Sequence, residues 1–434
     1  MNKELIKRRK NLMRMIGQDG IAIIPAASVK VRNRDVEHTY RQDSDFMYLT
    51  NFLEPESVAV LVPGRDHGQF ILFCRERDKE METWNGKRAG QKGAINDYDA
   101  DDAFPIGDID EILPGILEQR EKVFYTMGIN PEFDHRVIGW VNQIKEKGRA
   151  GAHAPHEFIA LDHLLHELRL FKSGVEIGHM KKAAKATIAG HQRAMKQCQP
   201  GMYEYQIEAE LLYEFNKAGC GTAYPSIVGG GENGCILHYT ENNQVLKDGD
   251  LLLIDAGAEY QGYACDITRT FPVSGEYTEP QLELYNLVLQ AQYAAIDATQ
   301  PGNHWNDPHD AAVKVLTRGL VKLGILKGRP AQLIKSGEYK KFYMHRTGHW
   351  LGLDVHDVGD YKIEEQWRLF EPGMTMTVEP GLYIPAKSRG VPKRYWNTGI
   401  RIEDDVRVTR NGNEVITGAL IKEAADIEEL MAAG

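Results

Sequence analysis

The stretch Leu251 to Phe271, LLLIDAGAEYQGYACDITRTF, constrains this chain more than any other. Leu251 to Ile254 are all apolar, which describes a strand buried on both faces, and Glu259-Tyr260-Gln261-Gly262 is turn material ahead of a second β-rich run. The segment therefore reads as a β-hairpin with one aspartate on each strand, Asp255 and Asp266. With the two-fold centre between Tyr260 and Gln261, the two aspartates face each other, Cβ atoms roughly 5 Å apart. Like charges so placed destabilise a sheet, and a buried unpaired carboxylate is costly. A cation held by both is one solution. The other is that one aspartate caps a turn while its neighbour pairs with Arg269. The hairpin alone leaves both open.

What surrounds the hairpin narrows the choice. A length of 434 residues allows two domains. The net charge of −10, spread along the chain, argues against a nucleic-acid or anionic-membrane binder, since both need concentrated Lys and Arg. Five cysteines, Cys74, Cys198, Cys220, Cys235 and Cys265, show no C-x-x-C spacing and suit a reducing compartment. Cys265 adjoins Asp266, but strand alternation turns it to the opposite face and into the core. Lys3, Lys7, Arg8, Arg9 and Lys10 are followed by no apolar signal region; Leu5, Leu12, Met13 and Ile16 fall at helical spacing, and Gly17 ends the helix. No apolar run approaches the ~20 residues of a membrane span. A cytoplasmic location is expected.

In the N-terminal part, Ile21–Pro25, Ser57–Val62, Phe70–Cys74 and Val123–Thr126 read as strands, and the stretches around Glu132–Lys147 and Glu157–Leu170 as helices. That alternation predicts an α/β domain with a mixed or parallel sheet over residues 1–172. Tyr40 to Thr50 reads as a solvated loop feeding an edge strand. Ser173, with Glu176 three residues on, forms a capping box that opens a second domain, 173–434. A long helix to about Gln197 and another over Tyr205–Lys217 precede the aspartate hairpin, which is α+β organisation. Gly229-Gly230-Gly231 lacks the Gly-Lys-Ser/Thr of a phosphate loop.

Beyond the hairpin, Glu279–Thr299 and His309–Leu323 are again helical. Met344 to Asp357 then holds His345, His349 and His356 among glycines, a clustering that points to metal or catalytic work. Thr375 to Gly381 and Gly399 to Asp404 read as a second strand pair, again with a carboxylate on each strand, Glu379 and Glu403. Two hairpins that each offer a carboxylate pair suggest an internally duplicated domain with one site between its halves. Arg401 shares a strand face with Glu403 and is placed to orient a carboxylate. Asp255, Asp266, His349, Glu379 and Glu403 together balance two divalent cations, and an oxygen-rich set favours hard ions such as Mn²⁺.

The order Asp, Asp, His, Glu, Glu, in the contexts DAGAEYQGYACDITRTF, GHWLGLDVHD, TVEPGLY and GIRIEDD, strongly resembles the metallopeptidases of the pita-bread fold, and among them aminopeptidase P, the Xaa-Pro aminopeptidases. Lys172-Ser173 with Glu176-Ile177 resembles the family's domain entry. Arg41–Thr50 and Trp84-Asn85-Gly86-Lys87-Arg88 resemble that subfamily's N-terminal domain, with Asn51 standing where glycine is expected. The resemblance implies a pita-bread catalytic domain behind a creatinase-like α/β domain. It implies that Asp255 chelates one ion, that His349 and Glu379 hold the other, and that Asp266 and Glu403 bridge them, with Mn²⁺ as the expected metal. It further implies Glu379 as general base, His238 and His356 as substrate-binding histidines that stabilise the tetrahedral intermediate, His345 and Tyr383 as further active-site residues, and Arg401 as the partner of a metal-bound aspartate. Trp84 resembles a tryptophan lent to a neighbouring subunit's site, which implies a homotetramer or a dimer. The implied reaction is hydrolysis of the bond between a first residue and a proline in second position. A prolidase acting on Xaa-Pro dipeptides, some with organophosphate side activity, uses the same ligands. His349-Trp350, in place of a paired His-His, and the WNGKR segment favour the aminopeptidase. A non-catalytic peptide-binding relative typically loses ligand positions, and all five are present here.

Overall fold

The computed structural model describes residues 2–434 and divides into two compact units, the first ending at Arg169 and the second running Leu170–Gly434. Among the described residues, no helix is long and apolar enough to cross a membrane.

The first unit is built on a six-stranded sheet in the order Asp102–Pro105, Phe70–Cys74, Val58–Leu61, Gly20–Pro25, Lys122–Phe124, Glu157–Ile159. The sheet is mixed: Gly20–Pro25 runs antiparallel to Val58–Leu61 and parallel to Lys122–Phe124. Its central strands are apolar at every position and buried on both faces, which is why they read as unbroken apolar runs. Two expectations change here. Glu157–Ile159 is an edge strand, and only Asp162–Leu170 is helical. Ser44–Thr50 is a buried helix and not a solvated loop. Asp43 caps it by accepting the Phe46 amide at 2.9 Å, and Phe46, Met47 and Leu49 turn into the core. The helix ends at Asn51 with φ +52°, a left-handed cap that asparagine tolerates in the place of glycine.

The second unit repeats one plan twice. Helices Gly174–Gln197 and Glu204–Lys217 precede the hairpin Leu251–Pro272, and helices Glu279–Ala298 and Asp307–Lys322 precede the strands Thr375–Thr409. The capping box is in place: Ser173 Oγ accepts the Glu176 amide at 3.4 Å, and Glu176 Oε2 accepts the Ser173 amide at 2.8 Å. A third strand flanks each hairpin, Ile227–Gly230 beside Leu251–Asp255 and Gly412–Val415 beside Asp404–Thr409. This is the duplicated α+β arrangement expected from the sequence.

The first hairpin corrects the expected pairing. Asp255 faces Thr268, not Asp266, and the same register carries on to Tyr260 opposite Tyr263. The turn is Gln261-Gly262, with φ of +52° and +79°, the two positive values of a type I′ turn. Glu259 and Tyr260 therefore belong to the strand, and the centre lies one residue later than expected. Each partner changes by two residues, and side chains alternate with period two, so the face is kept. The two aspartates are diagonal neighbours on one face. A close backbone approach fixes the local path: a Cβ on Gly257 would lie 1.7 Å from the Cys265 carbonyl oxygen. Gly257→Ala is expected to destabilise the protein by about 1–3 kcal/mol through overpacking, read as a lowered urea midpoint.

Candidate metal centre

The second hairpin is the level counterpart of the staggered first one. Thr375–Val378 pairs with the start of Asp404–Thr409, and Gly381–Ile384 pairs with Thr398–Arg401, in one register that sets Glu379 opposite Glu403. The two hairpins meet along their inner strands. The Glu403 amide donates to Thr268 O at 3.1 Å, and Thr270 Oγ1 donates to Arg401 O at 3.0 Å.

The histidine segment is threaded against the second hairpin. Thr377 N donates to His349 O at 3.0 Å, Glu379 N to Thr347 O at 2.8 Å, and Leu351 N to Thr375 O at 3.1 Å. Gly348 permits this, because a Cβ there would lie 2.0 Å from Thr377 O. His349 Nδ1 is held by Trp350 O at 2.9 Å, which fixes the proton on Nδ1 and turns Nε2 toward the carboxylates. Nε2 stands 3.4 Å from Asp266 Oδ2 and 3.8 Å from Glu379 Oε1. Asp266, His349 and Glu403 offer ligand atoms that all lie within 4.8 Å of one another.

Asp255 joins this group through two side chains. Arg401 Nη2 donates to Asp255 Oδ2 at 2.6 Å, so the arginine reaches across from the second hairpin to the first. Arg269 does not serve either aspartate. It is fully buried and pairs with Asp404 at 2.9 Å. Tyr224 Oη lies 2.7 Å from Asp255 Oδ1 and also bonds Asp266 Oδ1. Tyr224 carried no motif in the sequence. Its place is set by the fold: it stands just ahead of Ile227–Gly230, the strand whose Ile227 pairs with Asp255. Thr268 was missed too: its Oγ1 donates to Glu403 Oε2 at 2.6 Å and accepts from Arg401 Nε at 3.1 Å.

A relay runs outward from Arg401. Its Nη1 donates to Tyr383 Oη at 2.9 Å, which leaves the tyrosine proton for His345 Nε2, also at 2.9 Å, while His345 Nδ1 donates to Arg346 O at 2.7 Å. Burial, reinforced by the Arg401 charge, pushes His345 down to about 3, so this imidazole is neutral. His356 lies with its ring 4.3 Å from that of His349, centroid to centroid. His238, His345, His349 and His356 all line one cavity of about 430 Å³ with the four carboxylates and Arg401, beside apolar Pro225, Ile227, Leu237 and Val355. Trp84 belongs to the first unit and is 79% exposed.

The electrostatics of this set fit divalent cations. Glu403 is pushed far above the usual carboxylate range by burial and then by the Asp266, Glu379 and Asp255 charges, and burial raises Glu379 to about 7. Burial also raises Asp255, against the pull of Arg401. For Asp266 burial is outweighed by His349 and the carboxyl is lowered, while burial disfavours a charged His349 but its carboxylate neighbours lift it to about 9. One Tyr224 hydroxyl proton cannot serve two carboxylates, so the Asp255–Tyr224–Asp266 contact asks for a further positive charge. Oxygen donors with a single imidazole are the donor chemistry of hard divalent ions.

A duplicated helix-and-hairpin unit that closes four carboxylates, Asp266 and Glu403 buried and Asp255 and Glu379 half-buried, and an imidazole around one cavity defines a metal-dependent hydrolase. Residues 178–410 match the model of metallopeptidase family M24, and residues 5–125 match that of the aminopeptidase P N-terminal domain. The chain belongs to metallopeptidase family M24. It is 44% identical over 433 residues to Xaa-Pro aminopeptidase of Escherichia coli strain K12, covering 99% of this chain and 98% of that one. Aminopeptidase PepP of Pseudomonas aeruginosa superposes with a TM-score of 0.99 at 57% identity, over 100% of this chain and 98% of that one. A zinc-substituted Escherichia coli aminopeptidase P in complex with product superposes with a TM-score of 0.97 at 43% identity, over 100% and 98%. The fold is thus a pita-bread domain preceded by the aminopeptidase P N-terminal domain.

Proposed function

We propose that this chain is a divalent-metal-dependent Xaa-Pro aminopeptidase, which releases the first residue from peptides with proline in second position. The observation that carries this is the convergence of Asp255, Asp266, His349, Glu379 and Glu403 on one cavity, in a chain alike over its whole length to Xaa-Pro aminopeptidases. Proline fixes its φ and has no N–H once acylated, so an enzyme built around a secondary amide handles it badly. Pro225, Ile227, Leu237 and Val355 offer a proline ring apolar surface.

Asp255, Asp266, His349, Glu379 and Glu403 would hold two divalent ions, with Asp266, His349 and Glu403 the most closely grouped, and Mn²⁺ suits the oxygen-rich set. Such ions supply an activated water and polarise the scissile carbonyl. Glu379, which faces His345 and His349 across the cavity, would also serve as general base for that water. His238 and His356, both exposed on the cavity, would bind the peptide and its tetrahedral oxyanion. Arg401 orients Asp255, and the Tyr383 hydroxyl fixes the tautomer of His345 through its Nε2. A cytoplasmic location accords with five free cysteines. The exposed Trp84 accords with a homotetramer in which it serves a neighbouring copy.

The test compares turnover of a Xaa-Pro-Yaa tripeptide and the matching Xaa-Pro dipeptide after loading with Mn²⁺. Faster release of the first residue from the tripeptide supports the aminopeptidase. Dipeptide preference makes the protein a prolidase, and turnover of neither would leave a peptide-binding module. Mn²⁺ at a hundred times its Kd is expected to stabilise the protein by about 2.7 kcal/mol, seen as a rise in Tm that a chelator reverses. A Tm indifferent to both would contradict the metal assignment.

A further inference from the structure

Glu204, the first residue of the helix Glu204–Lys217, is wholly buried although it carries a carboxylate. Its two oxygens take four donors. Oε1 accepts from the Gly230 amide at 2.8 Å and Asn233 Nδ2 at 2.9 Å; Oε2 accepts from Tyr239 Oη at 2.7 Å and the Gln244 amide at 2.9 Å. All four donors come from one segment, residues 230–244, which leaves the first hairpin's flanking strand and returns to the start of this helix. The return is ladder-like: Glu204 N donates to Gln244 O at 3.0 Å and Leu246 N to Met202 O at 2.8 Å. Within that segment stand Leu237, His238 and Thr240, three lining residues of the active cavity. His238 itself is exposed, and its neighbour Tyr239 is the residue pinned to Glu204.

We infer that Glu204 is a positioning residue for catalysis, acting through Tyr239 and the 230–244 backbone to hold His238 against the substrate. The inference rests on the proposed substrate-binding role of His238. The chemistry requires a carboxylate: it is acceptor-only, so it satisfies four donors at once. An amide of the same size must turn its NH₂ toward either the Gly230 or the Gln244 amide, leaving one buried N–H without an acceptor and facing a second donor. Nothing else in the helix has to change, because Ile207, Leu211 and Phe215 hold its buried face.

The experiment is a double-mutant cycle on the full-length, metal-loaded protein with a fluorogenic Xaa-Pro peptide, using Glu204→Gln and His238→Ala separately and together. Glu204→Gln is expected to lower kcat/KM at least tenfold in the parent, mainly through kcat, and less than twofold in the His238→Ala background. Metal content should be unchanged. An equal loss in both backgrounds would mean a general packing role, and undiminished turnover would mean no role; either overturns the inference. If His238→Ala keeps full activity, the reading of His238 falls and the inference with it, an outcome distinct from the other two. Should Glu204→Gln fail to fold, Tyr239→Phe replaces it in the same cycle, removing a single donor, with the same non-additivity expected and additivity again overturning it.

Discussion

Asp266→Asn is expected to cut turnover of a Xaa-Pro peptide roughly a thousandfold or more, the several kcal/mol that a bound ion contributes to the transition state. It is also expected to lower metal content by at least one ion per chain. Asp266 shares with His349 and Glu403 the tightest grouping of ligand atoms, all within 4.8 Å, and its other oxygen bonds Tyr224 together with Asp255. The amide preserves shape and can still accept from Tyr224, so the lost quantity is charge and one ligand atom. Turnover and bound metal, the latter by elemental analysis, are read on the same preparation, with the unfolding midpoint as control. A variant that keeps both would remove Asp266 from the bridging position.

The largest effect on stability is expected from Asp404→Ala. Asp404 is wholly buried and gathers Arg269 at 2.9 Å, Lys422 at 2.7 Å, Gln292 at 2.7 Å and Thr417 at 2.8 Å. Arg269 in turn reaches the carbonyls of Thr268, Glu403, Leu420 and Ile421, so one guanidinium fastens both inner strands to the chain's last segment. Removing the carboxylate leaves two cations with no counter-charge, which costs about 3–5 kcal/mol. The unfolding midpoint of the second unit is expected to fall to lower urea by that loss divided by the m-value. A loss below 1 kcal/mol, roughly that of an exposed pair, would show that solvent reaches the cluster. Burial tends to raise this carboxyl, but Arg269 and Lys422 outweigh it and hold it well below the usual range. Its contribution is therefore complete above about pH 4, the unfolded value, and is lost as pH falls through the depressed folded one.

How far the sequence could be read depended on whether a signal was local. The capping box at Ser173 and Glu176 and the apolar runs of the sheets are local rules, and they stand in the structure. The histidine cluster was legible because glycines alternate with ligand-type residues, and Gly348 has the close contact that such spacing suggests. The aspartate hairpin was legible as a hairpin and in its face, but not in its register. Nothing in the residue types announces that Gln261, a non-glycine, takes a positive φ beside Gly262. Ser44–Thr50 was misread because a charged, hydroxyl-rich entry drew attention from Phe46, Met47 and Leu49, which bury the helix. Tyr224, Thr268 and the Arg269–Asp404 pair lay beyond reach for a simpler reason. Each is defined by partners between 31 and 135 positions away, and no pattern in one chain marks such a meeting.

Three glycines of the second unit, one of them lining the cavity and two in the hairpins behind it, also bear on how such an enzyme can diversify. A Cβ on Gly257, Gly348 or Gly399 would sit 1.7, 2.0 or 1.9 Å from a backbone oxygen, so at these points main chain rests directly on main chain. A floor laid this way has no slack into which a methyl group could be introduced. New substrate preferences must therefore be written into the rim, in the loops that bring Leu237, Thr240, Arg346 and Val355 to the cavity. Inherited changes there can alter which peptide is admitted while the floor, and the chemistry above it, stays the same.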